Sequence, residues 1–203
     1  MLPGVMAEVR RREPKTLVRI EAVDDVHATE LLERRSVDLV LGPTGKPDER
    51  FLVEALFQEE HLFVVPAGHS WARMSTLSLE AVGPQAVIAP GLNTATWRYI
   101  DEFFRAEMVS LNVQCEAATP VQALSLARSG LGVALVPSWA APRPGSDAGL
   151  VAVPLGRRRL RVPWVITYWR GRRLSLAEAH FIEVARQQSA VLGGEASPRK
   201  GRG

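Results

Sequence analysis

Four histidines and one cysteine are the residues best suited to catalytic or metal chemistry here, and their spacing supports neither. His27, His61, His69 and His180 fall on a helix, a strand start, a turn and a closing helix. No pair has the i, i+4 spacing by which one helix offers two imidazoles to a metal. Cys115 lies within an expected strand and no sequence-local base activates it, so it reads as a small buried hydrophobe; alone, it can form no internal disulfide. Gly-x-Ser-x-Gly elbows, phosphate loops and Gly-x-Gly-x-x-Gly turns are missing from the sequence. Without an acid, base and nucleophile constellation, the chain reads as a binding module that is not an enzyme and carries no metal or cofactor.

Binding chemistry is better represented. Asn93-Thr94-Ala95-Thr96 and Thr119-Pro120-Val121 each follow a short apolar run and open a helical one. A helix start presents unbonded N–H groups, and hydroxyl side chains beside them add further polar atoms. Such an end suits a carboxylate or similar anion. The plainer account is that Thr94 and Thr119 cap their helices. Thr44, after Gly42-Pro43, and Pro137, with Ser138 after it, stand at two more strand ends; an ordinary turn is the plainer account of the first. The candidate ligand residues are therefore Thr44, Asn93, Thr94, Thr119, Pro120, Val121 and Pro137.

These residues need elements to place them. Around Cys115–Ser138 the sequence predicts strand, helix, strand. Thr119 is a natural N-cap, and Pro120 sits where a missing N–H costs nothing. Val121, Leu124 and Ala127 or Arg128 follow at helical spacing, and Gly130 can take the left-handed conformation that closes a helix. Gly132–Val136 is an unbroken apolar run, the mark of a strand covered on both faces.

Before that unit, a helix is expected from Leu2 to about Glu13, ended by Pro14. An alternating strand is expected over Thr16–Ala22, and a helix capped by Asp25 through Arg35. Val37–Leu41 reads as a buried strand, and Phe51–Phe57 and His61–Val65 as two adjacent strands. Gln58–His61 between them reads as a solvated connection. Further on come a helical turn at Ser78–Val82, a strand at Ala86–Pro90, and a helix to about Met108 with Trp97, Ile100, Phe104 and Met108 on one face. A strand over Leu111–Glu116 leads into the opening unit. Ala141–Gly149 reads as loop, Leu150–Leu155 and Leu160–Trp169 as strands, and Ser175 to about Leu192 as a closing helix. Strands alternating with helices imply an α/β fold with largely parallel sheets. The turn at Pro66–His69 and the return strand divide the chain into 1–65 plus 156–192, and 66–155, with 193–203 as a disordered basic tail.

Of 203 residues, 46% are hydrophobic and 23% charged, an ordinary globular composition. The longest apolar runs are far shorter than the ~20 residues of a membrane span. Residues 1–9 lack the pattern of a secretory signal, so a cytoplasmic location with no membrane partner is expected. The net charge of +3 is local: without Arg199, Lys200 and Arg202 the basic and acidic residues balance at 22 each. A neutral body does not suggest a nucleic-acid-binding face. Arg157–Arg159 with Arg161 reads as a solvated basic lead-in to a strand, and Trp164 and Trp169 as packing residues.

In register along the chain, L-P-G-V-M-A-E-V-R-R-R-E-P (2–14), V-D-L-V-L-G (37–42), L-F-V-V-P-A-G-H-S-W-A (62–72), A-L-S-L-A-R-S-G-L-G-V-A-L-V-P (123–137) and Y-W-R-G-R-R-L-S (168–175) resemble the effector-binding domain of LysR-type transcriptional regulators. The resemblance covers roughly residues 2–185. It implies a two-lobed periplasmic-binding-protein-like (type 2) fold, a small-molecule effector in the inter-lobe cleft, and transcriptional control as a homodimer or tetramer. DNA would be bound only through the winged helix-turn-helix domain that opens such regulators, which this sequence lacks. The family's sensor domain also begins with a strand ahead of the helix at Leu2, so the fold is expected to be incomplete at the N-terminus and its first lobe poorly stable. A melt identical to that of an upstream-extended chain would count against that expectation. A solute-binding protein for uptake is the alternative on the same fold.

Overall fold

A computed structural model describes residues 1–45, 48–143, 145 and 149–195, with the backbone alone for 191–195. The chain divides into two compact units, Met1–Gln58 with the chain from Pro163 onward, and Glu59–Val162. The divisions fall inside two strands, whereas the sequence suggests the turn at Pro66–His69 and the return strand Leu150–Leu155.

In the first unit, α1 (Leu2–Arg12) has three arginines in its last turn, where cations suit the helix dipole. Its Val5 and Val9 pack with Val184 and Ala185 of α6 (Leu176–Glu195). The closing helix thus runs beyond Leu192, and the expected tail otherwise lies outside the described residues. The helix α2 (Asp25–Glu33) is capped by Asp24, not Asp25: the Asp24 carboxylate accepts the His27 N–H at 2.9 Å. Strand β1 covers only Val40–Gly42, shorter than the apolar run Val37–Leu41 suggests. It pairs antiparallel with β7 (Arg161–Trp169), Val40 opposite Thr167, and β7 lies beside β2 (Phe51–Pro66). The tryptophans do pack: Trp164 stacks on Phe57, and Trp169 meets Phe51 edge-on and donates its indole N–H to the Leu32 carbonyl.

Thr16–Ala22 forms no strand. Alternation supplies a strand's side chains but not the neighbour whose N–H and C=O groups make it one. No such neighbour occurs among the described residues, and Leu17 is 94% exposed. The two strands expected at Phe51–Phe57 and His61–Val65 are one, because nothing in Gln58–Glu60 interrupts the ladder.

The second unit is built on a sheet in which β5 (Val133–Pro137) lies between β2 and β3 (Ala86–Pro90), with β4 (Asn112–Ala117) outside β3. The strand β6 (Leu150–Val153) pairs with β2 on its other side. Strands β3, β4 and β5 are mutually parallel. Side-chain alternation divides two cores across this sheet. Phe63, Val65, Val87, Val133 and Leu135 face Ile100 and Phe104 of α4 (Ala95–Ala106); α3 (Leu79–Val82) adds Val82 to the same core. Val64, Ile88, Ala134 and Val136 face Ala123 and Ala127 of α5 (Pro120–Arg128). β5 is covered on both faces, as its unbroken apolar run implies.

Two periodicity readings fail at helix margins. Met108 lies past the end of α4 with φ +56° and is 95% exposed, so it is not on the packed face. Val121 is 76% exposed; the buried line of α5 is Ala123 and Ala127, with Leu124 beside it. Small residues on the inner face let α5 sit close to the sheet.

Candidate functional site

The strand ends of the second unit bring most of the candidate residues together. Pro90 at the end of β3 is level with Ala117 at the end of β4. β5 runs parallel on the other side of β3, so Pro137 reaches the same edge. Two helices begin there, α4 after Gly91–Thr94 and α5 after Ala118–Thr119. Thr44 belongs to the first unit, in the turn after β1.

Thr94 and Thr119 both cap. The Thr94 hydroxyl oxygen accepts the Trp97 N–H at 3.2 Å and donates to the Gly91 carbonyl at 2.6 Å. Thr119 forms a reciprocal box with Gln122: its hydroxyl accepts the Gln122 N–H at 3.3 Å, and its own N–H donates to Gln122 Oε1 at 3.2 Å. Two orphan donors are satisfied in one exchange, which explains the sharp entry into α5. Pro120 has no N–H to offer, and the Ala123 N–H bonds the Thr119 carbonyl at 3.1 Å. Among the first-turn donors of α5, the Val121 N–H is left unengaged by the described residues. The Thr96 N–H holds the equivalent place in α4.

The chain's own acids also lie along this edge. Glu116 Oε1 accepts the Leu92 N–H at 3.1 Å, tying the loop before α4 to the end of β4. Asn93 is exposed next to that contact. Beyond Pro137, Ser138 donates its hydroxyl to Glu59 Oε1 at 2.7 Å and its N–H to the same oxygen at 3.1 Å. Glu59 and His61 are 8% and 4% exposed, which overturns the reading of Gln58–His61 as a solvated connection. His61 faces Pro137 across β2 and β5, and its N–H bonds the Leu160 carbonyl at 2.8 Å. Burial pushes the Glu59 carboxyl above its ordinary range, against the lowering effect of the two Ser138 bonds. Burial also drives the His61 imidazole down to about 4, so it is neutral at neutral pH. Nothing in the sequence near Glu59 signals this environment, because Ser138 lies far away along the chain.

Two arginines of the basic run, Arg158 and Arg159, are ion-paired. Arg158 meets Glu107 and lies over the Phe103 ring, and Arg159 bonds Glu60 at 2.9 Å. Cys115 is half-buried against the α5 core. Among the described residues, no cluster of three or more His, Cys, Asp or Glu could hold a metal ion, and no helix is long and apolar enough to cross a membrane. The edge is thus a polar, two-helix surface suited to holding a ligand by hydrogen bonds.

Comparison with known proteins places this architecture. The RuBisCO operon transcriptional regulator of Allochromatium vinosum is 27% identical over 194 residues, which are 94% of this chain and 63% of that protein. The chain spans about 60% of the length of the curated relatives it matches first. The regulatory domain of Synechocystis PCC6803 CcmR, solved with 2-PG, superposes with a TM-score of 0.80 at 15% identity, over 93% of this chain and 90% of that one. The effector-binding domain of QuiR, solved with shikimate, gives 0.80 at 13% identity, over 97% and 91%. These likenesses confirm the α/β, periplasmic-binding-protein-like fold. The LysR substrate binding domain model matches residues 1–190, and the chain belongs to that family.

Proposed function

We propose that this domain is the small-molecule sensor of a LysR-type transcriptional regulator, holding an anionic effector at the strand-end edge of its second unit. The Val121 N–H carries this reading: it is an unengaged donor in the first turn of a helix whose neighbouring donors are already capped. Backbone donors and the helix dipole both favour an anion there. Thr119 and Pro120 set the geometry of that turn, Thr94 and Asn93 that of the adjacent helix start, and Pro137 the end of β5. Thr44 is the corresponding candidate in the first unit. That CcmR and QuiR domains were solved with small molecules supports ligand binding as the activity of the domain.

In the whole protein, effector binding would shift the packing of a homodimer or tetramer, and DNA contact would belong to a separate N-terminal domain. The protein would act in the cytoplasm. The two units correspond to the two lobes of this sensor, with the strands β2 and β7 joining them. Its relatives regulate transcription, and no enzymatic role is proposed. Calorimetric titration of the domain with two- to eight-carbon mono- and dicarboxylates, and with amines of matching size, tests the proposal. Saturable binding of at least one acid at one site per chain is expected. No saturable binding by any acid, or binding of the amines alone, would overturn it.

A further inference from the structure

The segment between α1 and α2 is extended and has no strand beside it. Its ends are tied down: the Thr16 N–H bonds the Glu13 carbonyl at 3.0 Å, and the Asp24 carbonyl accepts the Ala28 N–H at 2.9 Å. Between them residues 17–23 run without turn or bend, and their main-chain N–H and C=O groups meet no partner among the described residues. Leu17, Ile20 and Val23 are left exposed. A row of unpaired main-chain groups flanked by exposed apolar side chains is a template for another strand. A groove of about 650 Å³ lies beside its start, walled by Met6, Val9 and Pro14 with Leu17 and Val18.

The side chains select the strand that fits. In an antiparallel pair related by a two-fold axis, one residue must stand opposite itself, because opposed side chains share a face while neighbours along a strand alternate. With that residue at Ile20, Arg19 faces Glu21, Leu17 faces Val23 and Val18 faces Ala22, each on both sides of the axis. Centred one residue either way, two arginines or two glutamates meet at the axis, and like charges directly opposed are unfavourable. Arg19 and Glu21 already pair along the segment at 3.1 Å. A second copy in the Ile20 register would complete a ring of alternating charges, and its Val23 would lie opposite Leu17, over the groove.

We propose that residues 17–23 are a strand-pairing surface for a second copy of this chain, antiparallel and centred on Ile20, so that the same patch meets itself. The inference goes beyond the effector reading and does not depend on it. No residue of the second unit takes part, and its failure would leave ligand binding untouched.

Sedimentation equilibrium of the whole chain, with hydrogen exchange at the Leu17–Val23 amides, tests it. A concentration-dependent dimer is expected, with alternate amides of the segment slowed as the dimer fills. Arg19→Glu opposes glutamates and Glu21→Arg opposes arginines, so each variant alone should raise the dissociation constant at least tenfold. Mixed in equal amounts, the two variants restore every opposite-charge pair and should associate with each other within threefold of the parent constant. Both positions are exposed, and circular dichroism matching the parent establishes that the variants fold; exchange in the parent chain carries the test should either not fold. A monomer at every concentration, a dimer indifferent to either charge reversal, or a mixture no tighter than the separate variants would overturn the proposal. So would slowed amides in a monomer, which would give the edge to another segment of chain.

Discussion

Single residues here hold helix starts and strand ends, and their roles separate by substitution. Thr119 closes the capping box of α5, so Thr119→Ala should cost about 1 kcal/mol in chemical denaturation, and Thr119→Ser much less. An equal loss in both variants would mean the hydroxyl bond is not what holds the helix start. His61 makes a pH prediction. Its folded pKa of about 4 lies below the unfolded value of 6.5. Between those values the unfolded chain binds a proton that the folded chain does not. The His61 contribution is therefore fully present above 6.5 and lost as pH falls towards 4, by roughly 3 kcal/mol at most. Glu59 works oppositely: its folded pKa is raised, so its contribution is present below its unfolded value and lost as pH rises through the folded one. The clean readout is the stability slope between pH 6.5 and 4, which should be shallower in His61→Phe than in the parent chain; an unchanged slope refutes the assignment. The two caps were legible because Thr94 and Thr119 act on residues three positions away. The burial of Glu59 was not, since it depends on Ser138, brought alongside only by the pairing of β2 with β5.

Among the elements, the βαβ unit from β4 to β5 sets the spacing of the site, and two glycines control it by different means. Gly130 closes α5 with φ +80°, where an alanine meets backbone strain of about 1 kcal/mol and nothing else nearby. At Gly132 a Cβ would come within 2.5 Å of the Ala86 carbonyl oxygen, so β5 and β3 could not keep their separation. Gly132→Ala should therefore cost clearly more than Gly130→Ala, by roughly 1–3 kcal/mol in denaturant unfolding. Equal costs would show that the strands are not in this close approach. The left-handed role of Gly130 could be read from its place after the helical run. The contact at Gly132 could not, since it involves a strand over forty residues earlier in sequence. The same limit explains Thr16–Ala22: its alternation is real, yet a strand requires a neighbour and the described residues provide none.

At the scale of the molecule, family membership rests on order and spacing along nearly the whole chain, which is why five individually weak motifs could indicate the fold. The ligand site was less legible. Helix starts could be placed, but which of their donors remain unengaged emerged only from the hydrogen bonds of Thr94, Thr119 and Gln122. The central claim is that an anionic effector is held at the first turn of α5. Val121 is largely exposed, so Val121→Glu should leave the fold intact, and a carboxylate in that turn is favourable to the helix itself. Calorimetry of the tightest-binding carboxylate should show at least a tenfold loss of affinity in Val121→Glu and little change in Val121→Gln. Undiminished binding in Val121→Glu would contradict the account.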